Sequence, residues 1–354
     1  MRTLDRYIIL HILGFTAIAG FALIAIYSFI GFVTGIGDTG QGSYGVFQLM
    51  VYTLLQMPAG LYTLLPIIAM LGTLMGLGAL AAQSELTAMR AAGVSLARIG
   101  SATLLAGLLL GVFGLLLGDW LAPAGNGAAE DYRTAARTGG TPGLAGHTVW
   151  LRDGDSIFHI RRLITEDHVA DVEIFMLAPD MSLSSDLHVD DGRYQDGHWI
   201  FSGVSRTDLS ADATKTSQVP QLQWTGSLSP DVLHLFVLES ESLAMPGLLR
   251  LIHYLEANGL DSSSYRLDLW RKLVAPFTVM AMMLFAVPFV LGSLRSSGAG
   301  QRLLVGILVG VGFYVINEVS ANLGGIYHWP PVLAASLPSL LLAATAIYRL
   351  NRVR

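Results

Sequence analysis

The residues whose side chains could drive a reaction are few and scattered in this 354-residue chain. Its two lysines, Lys215 and Lys272, do not follow a glycine, so no G-x-x-x-x-G-K-S/T loop is present to hold the phosphates of ATP. The nine histidines do not pair at metal-ligand spacing on a helix, and the motifs H-E-x-x-H and G-x-S-x-G are absent. Cysteine is also absent, which excludes disulfides and thiolate chemistry. The sequence predicts a non-catalytic protein that binds no cofactor of its own.

One short polar segment has the pattern of a helix that docks on a partner. Residues 83–95 read QSELTAMRAAGVS, in which a serine can cap the helix start, an acid suits its positive end and Gly93 can end it. The apolar residues recur at helical spacing, which predicts a short amphipathic helix over 84–93. Such a helix either lies passively in the membrane interface or couples the chain to a cytoplasmic motor. The candidate coupling residues are Ser84, Glu85, Leu86, Met89 and Arg90.

A single acid, Glu318, lies between two long uncharged runs, and acids placed inside a membrane are functional candidates. At 1.5 Å per residue it lies about 22 Å along its helix from Leu303, near the outer interface. Arg271 and Lys272 precede another apolar run at the same level, and either can pair with it. We favour this structural ion pair over a role in transport.

These residues are positioned by apolar helices. Hydrophobic residues make up 53 % of the chain and charged residues 13 %, which is typical of an integral membrane protein. A membrane helix needs about 20 apolar residues, and the uncharged runs predict six such helices. The run at 39–84 is predicted to be one long helix that begins in the outer interface, with Pro58 and Pro66 as candidate kinks. The runs are 7–37, 39–84, 99–118, 273–294, 303–317 and 319–348.

The distribution of basic residues orients these spans. Nine arginines lie at the termini and loops of one side, whereas the opposite short loops, 38–45 and 321–331, carry no lysine or arginine. Because short cytoplasmic loops are enriched in basic residues, both termini are expected in the cytoplasm. Residues 119–272 carry a net charge of −10 and are expected outside, in the periplasm if the membrane is a Gram-negative inner membrane.

The acidic insert has the period of β-strands. Alternating runs flank an Asp-Gly turn at 153–154, and further strand-like runs are separated by Gly, Pro and Asp. Six to eight short strands predict an inserted all-β, jelly-roll-like domain between transmembrane helices 3 and 4. The apolar run 232–238 is predicted to be a strand that is buried on both faces or that faces a lipid or a partner. The predicted organisation is 1–122 with helices 1–3, 123–245 with the β domain and its helical lead-in, and 246–354 with an interfacial helix and helices 4–6.

Six short motifs follow one another along the chain. They are 4–8 (LDRYI), 40–44 (GQGSY), 76–93 with its SEL core, 120–123 (WLAP), 131–133 (DYR) and 285–295. In this order and spacing they resemble the LptF/LptG family of lipopolysaccharide export permeases, and the resemblance extends essentially from end to end. One departure lies at 34–38, which reads TGIGD where family members often carry lysines.

The resemblance implies partners and a substrate. It implies a heterodimer with LptF, mounted on a dimer of the ATPase LptB, which uses ATP and Mg²⁺. It also implies that lipopolysaccharide is extracted from the inner membrane and passed to the periplasmic proteins LptC and LptA. Glu85 is expected to contact LptB. The missing nucleotide loop fits a permease half that is driven by a separate ATPase.

The lipid A phosphates that this substrate carries require cations near the outer interface. Arg133 and Arg137 lie at i, i+4 in a stretch that reads as a helix, so they share a face. Guanidinium groups suit bidentate phosphate contacts, whereas the alternative is that Glu130 neutralises Arg133. Arg271 and Lys272 are the weaker candidates for binding the lipid headgroup.

Two other classes stay open on the sequence alone. Another ABC-type permease, for lipoproteins or peptides, would also be driven by a separate ATPase, but its large domain usually follows the first span rather than the third. A membrane-anchored assembly scaffold without transport need not co-purify with an ATPase. A secondary transporter is least favoured, because paired intramembrane acids and an internal repeat are missing from the sequence.

Overall fold

The computed structural model describes residues 3–138, 148–165, 167–180, 182–209, 214–226, 228–237, 243–292 and 298–352. The chain divides into two compact units. The helical unit consists of residues 1–37, 53–126 and 263–354. The second unit, which contains the β-sheet, consists of residues 38–52 and 127–262.

Six of the described helices are long and apolar enough to cross a membrane, so the predicted six transmembrane helices are confirmed. The described helices are α1 (Thr3–Gly35), α2 (Val46–Leu55), α3 (Met57–Ala82), α4 (Glu85–Ala91), α5 (Leu96–Leu116), α6 (Ala122–Thr138), α7 (Pro230–Val237), α8 (Met245–Ala257), α9 (Ser263–Leu291), α10 (Ala299–Ile326) and α11 (Pro331–Arg352). The six membrane helices are α1, α3, α5, α9, α10 and α11. Between α5 and α6 the chain makes a π-helical turn at Leu117–Leu121.

The prediction of one long helix over 39–84 was wrong. The run is divided at Gln56 into the 10-residue α2 and the 26-residue α3. Pro58 lies in the first turn of α3, where its missing N–H is tolerated, but its ring disfavours a helix that continues backward through Leu54. Only α3 is long enough to cross a membrane, and Pro66 is accommodated inside it.

Close packing of α1 on α3 organises the helical unit. A Cβ added at Gly72 would lie 2.7 Å from Thr16 Cβ and closer still to Thr16 Cα, so only glycine allows this approach of the two backbones. Gly76 faces Ile12 Cα in the same way, at 3.1 Å from an added Cβ. Small residues give such contacts between membrane helices, where van der Waals packing has the main role.

The predicted β insert is also confirmed. Its six strands form one antiparallel sheet in chain order, so the connectivity is that of a meander. Alternate residues of the strands are buried, and their core includes Phe158, Ile160, Val172 and Trp199. The strands are β1 (Val149–Asp153), β2 (Ser156–Thr165), β3 (His168–Leu177), β4 (Leu183–Gln195), β5 (His198–Leu209) and β6 (Thr214–Trp224).

The prediction of a strand at 232–238 was wrong, because residues 230–237 form α7. Ser229 Oγ accepts a hydrogen bond from the backbone N–H of Val232 at 3.4 Å, which supports a helix start. Leu233 is fully buried against the sheet core and Phe236 packs beside it, at helical spacing. A short apolar run does not by itself distinguish a buried helix from a buried strand.

Candidate coupling and headgroup sites

The amphipathic helix predicted at 84–93 is present as α4, which begins at Glu85 and ends at Ala91. Ser84 does not cap it, because the residue has φ +59° and its side chain makes no capping hydrogen bond. At the other end, Gly93 has φ +87° and Val94 donates to Met89 O at 3.0 Å. This bond closes the helix in the manner predicted from the glycine.

Beside α4 lies a groove of about 340 Å³ between α4 and the end of α9. Leu86, Thr87, Arg90 and Ala91 line it on α4, and Val290 and Leu291 line it on α9. Leu86 is 3 % exposed and packs in the core of the helical unit, and Met89 packs against that core, whereas the polar face of α4 is exposed. A groove that is lined by both apolar side chains and an arginine suits insertion of a partner's side chain.

Arg133 and Arg137 share a face of α6, as their spacing predicts, and each lies over an aromatic ring of the second unit. The guanidinium carbon of Arg133 lies 5.3 Å from the centroid of the Tyr52 ring. That of Arg137 lies 5.2 Å from the centroid of the Tyr44 ring. We call these four residues the arginine–tyrosine cluster.

Each arginine of the cluster also forms an ion pair with a carboxylate. Arg133 Nε lies 3.3 Å from Glu130 Oε2, which confirms the predicted pair. Arg137 Nη2 lies 3.2 Å from Asp38 Oδ2, a residue 99 positions earlier that the helix pattern did not indicate. Arg137 Nε is buried without a hydrogen-bond acceptor among the described residues. Arg137 can therefore still donate to an anion, since a buried N–H group without an acceptor is unfavourable.

Tyr52 connects the members of the cluster. Its hydroxyl donates to Glu130 Oε1 at 3.0 Å and accepts from Arg133 Nη1 at 3.2 Å. Burial, with a contribution from the Glu130 carboxylate, raises the pKa of Tyr52 to about 12. The phenol is therefore protonated at neutral pH and keeps Glu130 and Arg133 in place.

The GQGSY motif at 40–44 explains how Tyr44 reaches α6. Gly42 has φ +59°, and a Cβ added there would lie 2.8 Å from the carbonyl oxygen of Ala136 and closer still to that of Arg137. Ser43 donates to Ala136 O at 2.8 Å from both its backbone N–H and its hydroxyl. Glycine and serine at these positions dock the segment on the end of α6. This motif was the signal in the sequence that could have located Tyr44 beside Arg137.

The two weaker headgroup candidates are engaged inside the helical unit. Arg271 donates to Glu318, which confirms the predicted ion pair. Lys272 is 5 % exposed, and its ammonium donates to Gly118 O at 2.9 Å and lies 5.9 Å from the centroid of the Tyr62 ring. Gly118 lies in the π-helical turn at Leu117–Leu121, where the hydrogen bonding differs from that of a regular α-helix. A phosphate would have to displace these partners to bind either cation.

Six apolar helices among the described residues, with an inserted antiparallel sheet, define a multi-pass membrane protein that carries a β domain. A sequence model described as "Lipopolysaccharide export system permease LptF/LptG" matches residues 6–352. The chain therefore belongs to the LptF/LptG family, whose members are multi-pass proteins of the inner membrane.

Two relatives cover almost the whole chain. A Haemophilus influenzae protein named "Lipopolysaccharide export system permease protein LptG" is 34 % identical over 356 residues, which is 100 % of this chain and 99 % of the relative. An Escherichia coli K12 protein of the same name is 32 % identical over 352 residues, covering 99 % of this chain and 98 % of the relative. The similarity thus includes both units.

Proposed function

We propose that this chain is the LptG half of an ATP-driven lipopolysaccharide extractor. It pairs with LptF on a dimer of the ATPase LptB, and it passes lipopolysaccharide from the inner membrane to LptC and LptA. The chain is non-catalytic, and ATP and Mg²⁺ are bound by the partner. The observation that carries this proposal is the match to the family over residues 6–352, together with relatives named LptG.

The contact with the ATPase is assigned to α4 and its groove. Glu85 and Arg90 present opposite charges at the two ends of the helix, and Leu86 and Met89 face the core of the helical unit. An ATPase that binds α4 can displace α3 directly, because only Gln83 and Ser84 separate the two helices.

The lipid A phosphates are assigned to the arginine–tyrosine cluster. Two guanidinium groups on one face of α6, one of them with a buried Nε that lacks an acceptor among the described residues, suit a doubly charged anion. These arginines take the place of the lysines that family members often carry after the first span. Arg271 and Lys272 have the lesser role, because each already has a partner inside the helical unit.

The orientation completes the proposal. The arginine-rich loops favour a cytoplasmic position for both termini and α4, with the β-sheet in the periplasm. Single cysteines can test this in the natural cysteine-free chain. Cysteines at Ser43 and Asp196 should react with a membrane-impermeant thiol reagent in intact cells, whereas one at the exposed Ala88 of α4 should not. A cysteine at Ser297 is likewise expected to be cytoplasmic and unreactive, but this position lies outside the described residues. Labelling at Ala88 without Asp196 would invert the topology.

One experiment tests the function. The tagged chain is purified in detergent with its bound partners, the complex is placed in proteoliposomes, and ATP hydrolysis is measured with and without lipopolysaccharide. We expect an ATPase to co-purify, its activity to respond to lipopolysaccharide, and the lipid to be released to a periplasmic acceptor. Absence of a bound ATPase would favour a scaffold, and stimulation by lipoproteins but not by lipopolysaccharide would favour a different exporter.

A further inference from the structure

The start of α1 is tied to the start of α5 by a two-bond ion pair. Arg98 Nε donates to Asp5 Oδ1 at 2.9 Å, and Arg98 Nη2 donates to Asp5 Oδ2 at 3.3 Å. The two side chains are 26 % and 24 % exposed, so the pair is partly protected from solvent. Both oxygens of the carboxylate are used, and this geometry fixes orientation as well as distance.

A second contact, made by one hydrogen bond, connects α1 to α4. Tyr7, two residues after Asp5, donates from its hydroxyl to Glu85 Oε2 at 2.9 Å. This bond uses one oxygen of the carboxylate, so Oε1 remains able to accept from a partner. The same Glu85 can therefore contact the ATPase and α1 at the same time.

The two contacts, Arg98 with Asp5 and Tyr7 with Glu85, bracket residues 84–98, which we call the coupling segment. Glu85 is at its beginning and Arg98 at its end, and both contact α1 within the LDRYI motif at 4–8. Because α1 is bonded to this segment at two residues, it follows both the displacement and the rotation of the segment. A single contact would transmit displacement alone.

α1 is one of the three less buried membrane helices in the described part of the chain, together with α10 and α11. Of the most apolar stretch of α1, 28 % is buried, against 67 % for α3. A smaller part of α1 than of α3 is therefore packed against other described helices. Phe21 and Phe29 on α1 are exposed, which leaves apolar surface on this helix for lipid or for a partner helix.

We propose that Asp5 and Tyr7 form a clamp through which the coupling segment moves α1 in each ATP cycle. Asp5 and Tyr7 are positioning residues. They do not touch the lipid, and they affect its transport only by moving α1. The clamp deepens the proposed function and rests on it for the role of the ATPase. It assigns a purpose to the LDRYI motif, which neither the ATPase contact nor the headgroup site uses.

The first test separates hydrolysis from transport in the complete complex in proteoliposomes. Tyr7→Phe removes one hydroxyl, and Asp5→Asn removes one charge while preserving shape. We expect ATP hydrolysis within twofold of the natural complex, but lipopolysaccharide released per ATP lower by about fivefold, the factor for losing one net hydrogen bond. Tyr27→Phe, which removes a hydroxyl farther along α1, is the matched control and should change neither quantity.

Rescue distinguishes a clamp from a general loss of folding. The exchange Asp5→Arg with Arg98→Asp should restore part of the release per ATP that either single exchange loses. Natural release per ATP in both Tyr7→Phe and Asp5→Asn would overturn the clamp. A proportional loss of ATP hydrolysis and release, without rescue, would also overturn it, because that pattern indicates only a structural role.

The second test does not depend on transport. Spin labels on cysteines at Thr3 and Ala88, both exposed, report the distance between α1 and α4 in the nucleotide-free and ATP-trapped complex. We expect one narrow distance in both states, which broadens in Tyr7→Phe and Asp5→Asn. An unchanged distance distribution in both variants would overturn the clamp even if their transport is impaired. A narrow distance in a complex that hydrolyses ATP without releasing lipopolysaccharide would instead refute the proposed function and keep the clamp.

Discussion

Arg271 on α9 and Glu318 on α10 form an ion pair inside the helical unit, with an Arg271 Nη2 hydrogen donated to Glu318 Oε1. The side chains are 25 % and 37 % exposed in the structure, and the surrounding segments are apolar. Next to this pair, Lys272 is bonded to Gly118 O. Adjacent cations on α9 thus connect to two different elements, α10 and the π-helical turn, and help to position them.

The first prediction concerns this pair. Glu318→Gln leaves Arg271 without a counter-charge in apolar surroundings, and we expect a loss of about 1–2 kcal/mol in the stability of the purified protein. The measurement is the thermal midpoint in detergent. The double variant Arg271→Leu with Glu318→Leu should recover most of the loss, because an apolar pair can replace an ion pair there. Equal midpoints for Glu318→Gln and the natural chain would contradict the structural role.

The second prediction concerns the contact between α1 and α3. Gly72→Ala places a methyl group against the Thr16 backbone, so the helices must separate. We expect a destabilisation of about 1–3 kcal/mol, which is typical of overpacking. Gly14→Ala on α1 is the matched control, because an added Cβ there has no atom within 4 Å. If both variants lower the thermal midpoint equally, the close approach at Gly72 is not the cause.

The third prediction concerns coupling at α4. Glu85→Lys reverses the charge at the helix start and removes the acceptor for Tyr7, so ATP-dependent release of lipopolysaccharide should fall at least tenfold, about 1.4 kcal/mol. The six-helix fold should survive, since the Glu85 side chain lies outside the core. Glu85→Gln keeps an acceptor for Tyr7 and should lose less activity. Natural transport by Glu85→Lys, with the ATPase still bound, would remove this residue from the mechanism.

The fourth prediction concerns the arginine–tyrosine cluster. Photo-crosslinking residues at positions 133 and 137 should capture lipopolysaccharide. The double variant Arg133→Ala with Arg137→Ala should reduce transport more than basal ATP hydrolysis, by about tenfold for the loss of two charge-assisted contacts. Lysine at both positions keeps the charge but loses the planar fork, so transport should be intermediate.

A matched control for the cluster is available in the same unit. Arg193 on β4 is 61 % exposed and lies 3.6 Å from Asp191, so Arg193→Ala removes a charge away from the proposed site. This variant should transport normally. Full transport by the double cluster variant would refute phosphate binding there, whatever the control shows.

Local sequence pattern was sufficient wherever one period dominates a long stretch. The six apolar helices were predictable because each membrane span needs a run of about 20 apolar residues. The strands were predictable because a sheet with one buried face requires apolar and polar residues to alternate. Glu318 and Arg271 were also predictable as a pair, since a lone acid in an apolar run requires a counter-charge at the same depth. The pattern was insufficient at short apolar runs, where residues 230–237 form a helix although a strand was predicted.

The sequence by itself determined the six helices, the inserted sheet and the i, i+3 pair of Glu130 and Arg133, because these depend on neighbours along one element. Only the tertiary structure decided that Asp38 meets Arg137 and that Tyr7 meets Glu85. Both contacts join residues more than 70 positions apart, and each depends on the packing of whole elements against each other. The sequence pattern does not reveal these contacts, because an exposed carboxylate is also stable in water. The local sequence around Asp38 or Glu85 therefore does not show whether the carboxylate has a distant partner.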